Sequence, residues 1–142
     1  KFRNKLKITV SLGFDKKINK QFKKIVTDSK HNISVIRNNF LISKIMGKSL
    51  LIILPFGVSA YEAVALKKYT FIFTRSRDDE YSSSIFQKKK VSKVFNNKKE
   101  FSEKNLTQSL KNFKNYNFQN KVQFSKLIRS GTNTIAKIIH ED

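Results

Sequence analysis

Apolar residues recur along this chain in two alternating rhythms, one short and continuous, the other spaced by three and four. Leu6 to Gly13 is rich in apolar and β-branched residues and stops at a glycine, which predicts a strand feeding a turn. Ile18, Phe22, Ile25 and Val26 then recur at helical spacing across Lys16 to Asp28, with lysines on the opposite face. Asn32 to Ile36 reads as a second strand, and Phe40, Ile42, Ile45 and Met46 as a helix ahead of Gly47. Leu50 to Leu54 is continuously apolar, as in a parallel strand covered on both faces, and is expected to be the most buried strand. Pro55-Phe56-Gly57 punctuates it, and Ala60 to Lys68 is made of good helix formers. Tyr69 to Phe73 predicts a fourth strand, Thr74 to Asp79 a polar turn, Glu80 to Lys89 a helix and Val91 to Phe95 a fifth strand. After Asn96-Asn97 the pattern is helical throughout, over Phe101 to Phe113, Phe118 to Arg129 and, past Gly131, Thr132 to His140.

Strands alternating with helices predict an α/β chain: a Rossmann-like three-layer domain with a mostly parallel sheet of about five strands, closed by a helical C-terminal segment. At 142 residues the expectation is one domain spanning the whole chain, with no fixed-period repeat and no Pro- or Ser-rich linker to divide it. The most hydrophobic window, Leu50 to Leu66, holds Pro55, Gly57 and Glu62 and is shorter than the roughly 20 residues that cross a bilayer, so it reads as core. No transmembrane or targeting segment is expected, and a cytoplasmic location follows from that reading.

Charge complicates the picture. Thirty basic residues against ten acids give +20, a balance that suits nucleic acid or an anionic membrane surface. Twenty-five of the thirty are Lys, however, whereas phosphate and base recognition favour the guanidinium fork. Abundant Asn, Ile and Phe beside scarce Gly and Pro point to compositional drift, in which case the lysines are a solvated surface. A dedicated patch predicts one contiguous lysine face; drift predicts lysines on every helix. Lys111 to Lys121 interleaves Lys and Asn with Phe113, Tyr116 and Phe118, either a stacking surface for single strands or the core contacts of a helix junction. With no cysteine, and with His31 and His140 far apart, neither a metal site nor a cofactor is expected.

In open α/β sheets ligands bind beyond the carboxyl ends of the strands. The turns there would carry Gly13-Phe14, Pro55-Phe56-Gly57-Val58-Ser59 and Thr74 to Glu80. Gly57 admits close approach of a ligand, and Ser59 is a good N-cap for a helix whose free N–H groups attract a diphosphate. Equally, Gly57 makes a tight turn and Ser59 caps its own helix. Glu62 is a carboxylate inside an apolar helix start, where burial demands hydrogen-bond donors such as ribose hydroxyls; the alternative is a Glu stabilising its own first turn. Four of the ten acids, Glu62, Asp78, Asp79 and Glu80, fall at this edge, the last three also fitting an N-terminal capping cluster.

Leu54 to Lys68 (LPFGVSAYEAVALKK), the strand Thr70 to Phe73 and the polar helix start Asp78 to Ser84 resemble the C-terminal domain of GT-B enzymes. The likeness is closest to the UDP-sugar hydrolase of pseudaminic acid biosynthesis and to spore-coat polysaccharide glycosyltransferase-like proteins. It implies one half of a GT-B fold, gripping a UDP-sugar against a missing N-terminal half that carries the catalytic histidine. Gly13, Phe56, Gly57, Val58 and Ser59 would then serve the nucleotide and Glu62 the ribose. Asp78, Asp79, Glu80, Ser82 and Ser83 would lie near the sugar and phosphates.

Overall fold

A computed structural model describes residues 5–12, 18–37, 42–112 and 126. Along these residues run β1 (Lys7–Leu12), α1 (Lys20–Asp28), β2 (Asn32–Arg37), α2 (Ile42–Lys48), β3 (Leu51–Pro55), α3 (Val58–Ala65), β4 (Tyr69–Phe73), α4 (Arg77–Lys88), β5 (Lys93–Phe95), α5 (Asn97–Glu100) and α6 (Glu103–Asn112). The chain is α/β, as expected, and among the described residues every strand pairing is parallel, where a mostly parallel sheet was expected. The five strands form two sheets, β1-β2 and β3-β4-β5, where a single sheet was expected. Two compact units, 1–42 and 43–142, each contain one of these sheets. Gly13, the aromatics Phe113, Tyr116 and Phe118, and the two helices expected over 118–129 and 132–140 lie outside the described residues, apart from Lys126. No helix among the described residues is long and apolar enough to cross a membrane.

In the N-terminal unit, β1 alternates strictly, with Lys7, Thr9 and Ser11 exposed and Ile8, Val10 and Leu12 half-buried. The register pairs Ile8 with Ile33 and Val10 with Val35, so the apolar side chains share one face of the pair. Helix α1 starts four residues later than the periodicity suggests because Asn19 caps it, its Oδ1 accepting the Phe22 N–H at 2.7 Å. His31 ties the two strands at their start: its Nδ1 accepts the Leu6 N–H at 3.3 Å while the Asn32 N–H donates to the Leu6 carbonyl at 2.9 Å. This histidine has a structural occupation.

In the C-terminal unit β4 lies between β3 and β5, and Thr70, Phe71 and Ile72 are all buried. No residue of β3 is fully buried, and Ile53 is exposed, so the expectation that Leu50 to Leu54 would be the innermost strand is corrected. Strand order decides burial here: an edge strand keeps one flank open however apolar its sequence. The two crossovers β3-α3-β4 and β4-α4-β5 advance in the same direction, and right-handed connections therefore put both helices on the same face. There Ala60 and Val64 of α3 and Phe86 of α4 close over Ile72, Val94 and Val91, with Leu54, Phe56 and Tyr61 packed against them. The other face is aromatic. Phe71 meets Phe95 edge to face at 5.8 Å, and Phe101 stacks on Phe73 at 4.7 Å and edges Phe95 at 5.5 Å.

Both α3 and α4 end in the same way. Lys68 N–H donates to Ala63 O and Lys67 N–H to Val64 O; Val91 N–H donates to Phe86 O and Lys90 N–H to Gln87 O. These are paired Schellman closures, and their left-handed position, usually glycine, is occupied by Lys67 (φ 59°) and Lys90 (φ 54°). A chain with four glycines supplies lysine where the backbone favours glycine, at a strain of about 1–2 kcal/mol each. Lys90→Gly is expected to raise stability by about 0.5–1 kcal/mol in denaturant titration. Phe86→Ala is expected to lower it by about 3–5 kcal/mol, because a fully buried ring would leave a cavity between α3, α4 and the sheet.

Candidate functional site

The three turns at the carboxyl rim of β3-β4-β5 are bonded to one another one step beyond the strands. Phe56 N–H donates to Phe73 O at 2.9 Å and Thr74 N–H to Phe95 O at 3.1 Å. Thr74, buried, also donates its hydroxyl to Phe95 O at 3.4 Å and accepts the Asn97 N–H at 3.0 Å. Asn97 in turn accepts from the Lys99 and Glu100 N–H groups, and Glu100 accepts from Asn96 N–H at 2.8 Å, closing the single turn of α5. The rim is therefore a hydrogen-bonded frame.

At its first turn the N-cap of α3 is Gly57, almost fully extended at φ 159° and ψ −171°, with no side chain capping the helix. Ser59 was expected as the N-cap; it is the second residue of the helix, because Gly57 O already accepts the Ala60 N–H at 2.9 Å. The first N–H groups of a helix have no intrahelical partner, and here nothing local covers them. Val58 is 77% exposed, Ser59 is exposed, and a Cβ on Gly57 would meet no atom within 4 Å. Glu62 is also exposed, which removes the burial argument for its ligand role while leaving its carboxylate accessible. Behind the turn, Phe56, Tyr61 and Phe86 pack edge to face with centroids 4.8–6.2 Å apart.

The second turn contributes a residue that sequence reasoning passed over. Arg75 Nη2 donates to Phe56 O at 3.1 Å, which brings a guanidinium beside the start of α3. Asp79 holds Arg75 in place: its Oδ2 accepts the Arg75 backbone N–H at 2.9 Å and lies 3.5 Å from Nε. The signal was the register. Pro55 pairs with Phe73, so Arg75 stands beside Gly57 two steps on, but this is visible only once β3 and β4 are known to be neighbours.

The acids at α4 divide between two jobs. Ser76 caps the helix by accepting the Asp79 N–H at 3.1 Å, and Asp79 reaches back to Arg75, so the capping alternative accounts for Asp79. Asp78 and Ser82 remain exposed, and Glu80 is half-buried. Ser83, expected near the sugar, is fully buried with its hydroxyl donating to Glu80 O at 3.2 Å, because it faces the sheet one turn inside the helix. It is withdrawn from the ligand-facing set.

This arrangement suits anion binding: open backbone N–H groups, a positive helix end and a restrained guanidinium on one rim. Among the described residues no three His, Asp or Glu side chains gather as a metal site. A shallow open depression lined by Ser102, Glu103, Lys104, Thr107, Gln108 and Lys111 lies along α6 and includes no residue of these turns. Comparison with protein-family models, with curated proteins and with solved structures returns no match. Ser76→Ala should cost about 1 kcal/mol through loss of the α4 cap, measurable as a lowered thermal midpoint.

Proposed function

We propose that this chain is the UDP-sugar-binding C-terminal half of a glycosyltransferase-like enzyme or UDP-sugar hydrolase acting in surface polysaccharide or nonulosonic acid synthesis. The observation that carries the reading is the uncapped start of α3 at Gly57 to Ser59 with the Arg75 guanidinium bonded to the carbonyl just before it. The resemblance of Leu54 to Lys68 to that domain supplies the ligand class.

In this reading the diphosphate sits on the Val58 and Ser59 N–H groups, with the Ser59 hydroxyl as a further donor. Arg75 offers its remaining N–H groups to a phosphate oxygen, a charge-assisted contact in a geometry Asp79 already restrains. Glu62, exposed on α3, accepts from the ribose hydroxyls, and Asp78 and Ser82 face the sugar. No proton-transfer step is assigned to these residues. General base chemistry belongs to the other half of the enzyme, and this half fixes the nucleotide so that the sugar carbon is presented to it.

Isothermal titration of the full chain with UDP is the direct test. Binding is expected, with Arg75→Gln weakening it about 10- to 100-fold, the worth of a hydrogen bond to a charged group, and Glu62→Ala weakening it severalfold. No heat of binding at millimolar UDP, or an Arg75→Gln protein that binds as well as wild type, removes the proposal.

A further inference from the structure

A parallel sheet sorts its connections: the turns after the strands gather at one rim, the turns before them at the opposite one. In the C-terminal unit this sorting also confines most of the described acids to one end, where Arg75, Arg77, Lys99 and Lys104 accompany them. Asp78, Asp79 and Glu80 open α4 and Glu100 and Glu103 follow β5, all past the carboxyl ends of the strands; Glu62 stands midway along α3. None of the unit's described acids lies at the amino rim. That rim carries Lys48 before β3, Lys67 and Lys68 before β4, and Lys88, Lys89 and Lys90 before β5. The register aligns Leu51 with Tyr69 and Phe71 with Lys93, so these three connections come to the same level of the sheet. Lysines at helix C-termini also complement the helix dipole, but one or two per end suffice for that.

Two leucines lie among these lysines. Leu50, between Lys48 and β3, is 64% exposed, and Leu66, at the C-cap of α3, is 39% exposed. Among the described residues no arginine is present on this rim, and the one aromatic there, Tyr69, is half-buried. Nucleic-acid faces draw on guanidinium forks and exposed rings for stacking, whereas apolar side chains ringed by lysine ammonium groups match the boundary between acyl chains and anionic headgroups. We propose that the amino rim of β3-β4-β5 docks on an anionic lipid bilayer, lysines on the phosphates and Leu50 and Leu66 entering the interface. The surface is separate from the turns at Gly57 and Arg75, on the far rim, and does not rest on nucleotide binding.

Sedimentation of the full chain with vesicles of phosphatidylglycerol and phosphatidylcholine, against pure phosphatidylcholine, tests it. Lys67→Asn/Lys88→Gln/Lys90→Asn removes three rim charges, and asparagine accepts the left-handed backbone at positions 67 and 90. It should lower partitioning onto the anionic vesicles roughly a hundredfold, at about fivefold per lysine. Lys20→Gln/Lys23→Gln/Lys24→Gln, an equal loss of charge on α1, should lower it far less. Leu50→Ser/Leu66→Ser should weaken vesicle binding and leave binding of a single-stranded oligonucleotide unchanged. Equal losses from the two lysine triples would reduce the effect to net charge and overturn the proposal. Indifference to the leucine change, with the oligonucleotide bound more tightly than the vesicles, would overturn it in favour of a nucleic-acid face.

Discussion

Phe86 sits where three elements meet. Its fully buried ring fills the space between α4 and the β4-β5 half of the sheet, and its edge contacts with Tyr61 and Phe56 extend that core to α3 and to the turn after β3. The backbone of Phe56 is held by its N–H bond to Phe73 O, and its carbonyl receives Arg75. The aromatic core and the polar rim therefore meet at one residue. In a domain whose net stability is a small difference between large terms, such a ring is also where a cavity would be felt most.

Much of this architecture was legible in the residues. β4 was predicted at its observed bounds, because Tyr69 to Phe73 is β-branched and aromatic between polar turns. Less visible was which strand would be central: Leu51 to Leu54 are as apolar as any core strand, and only pairing shows β3 to be an edge. Helix starts were displaced by caps of differing kinds. Asn19 and Ser76 use their side chains, while Gly57 has none to use, so the more obvious serine, at position 59, lies two residues inside the true cap. Arg75 escaped notice because its significance lies in a neighbouring strand's carbonyl, information no local window holds.

The ends of α3 and α4 show how a biased composition is absorbed. Lysine stands where a glycine would cost least, and the backbone still completes both bonds of the closure. The strain is local and tolerated because the hydrophobic side of the closure survives at α4, where Val91 and Phe86 belong to the same core cluster. Asn97, at φ 64°, is the third left-handed residue, and there the side chain contributes by accepting two backbone N–H groups of the next turn.

The one-way direction of β3, β4 and β5 has an evolutionary implication. Because each connection belongs to one end of the sheet, a substitution that alters charge at one end reaches the other only across the length of the strands, about a Debye length or more at cellular ionic strength. The two ends can diverge as independent traits, each under its own selection, while the packed layer between them stays unchanged.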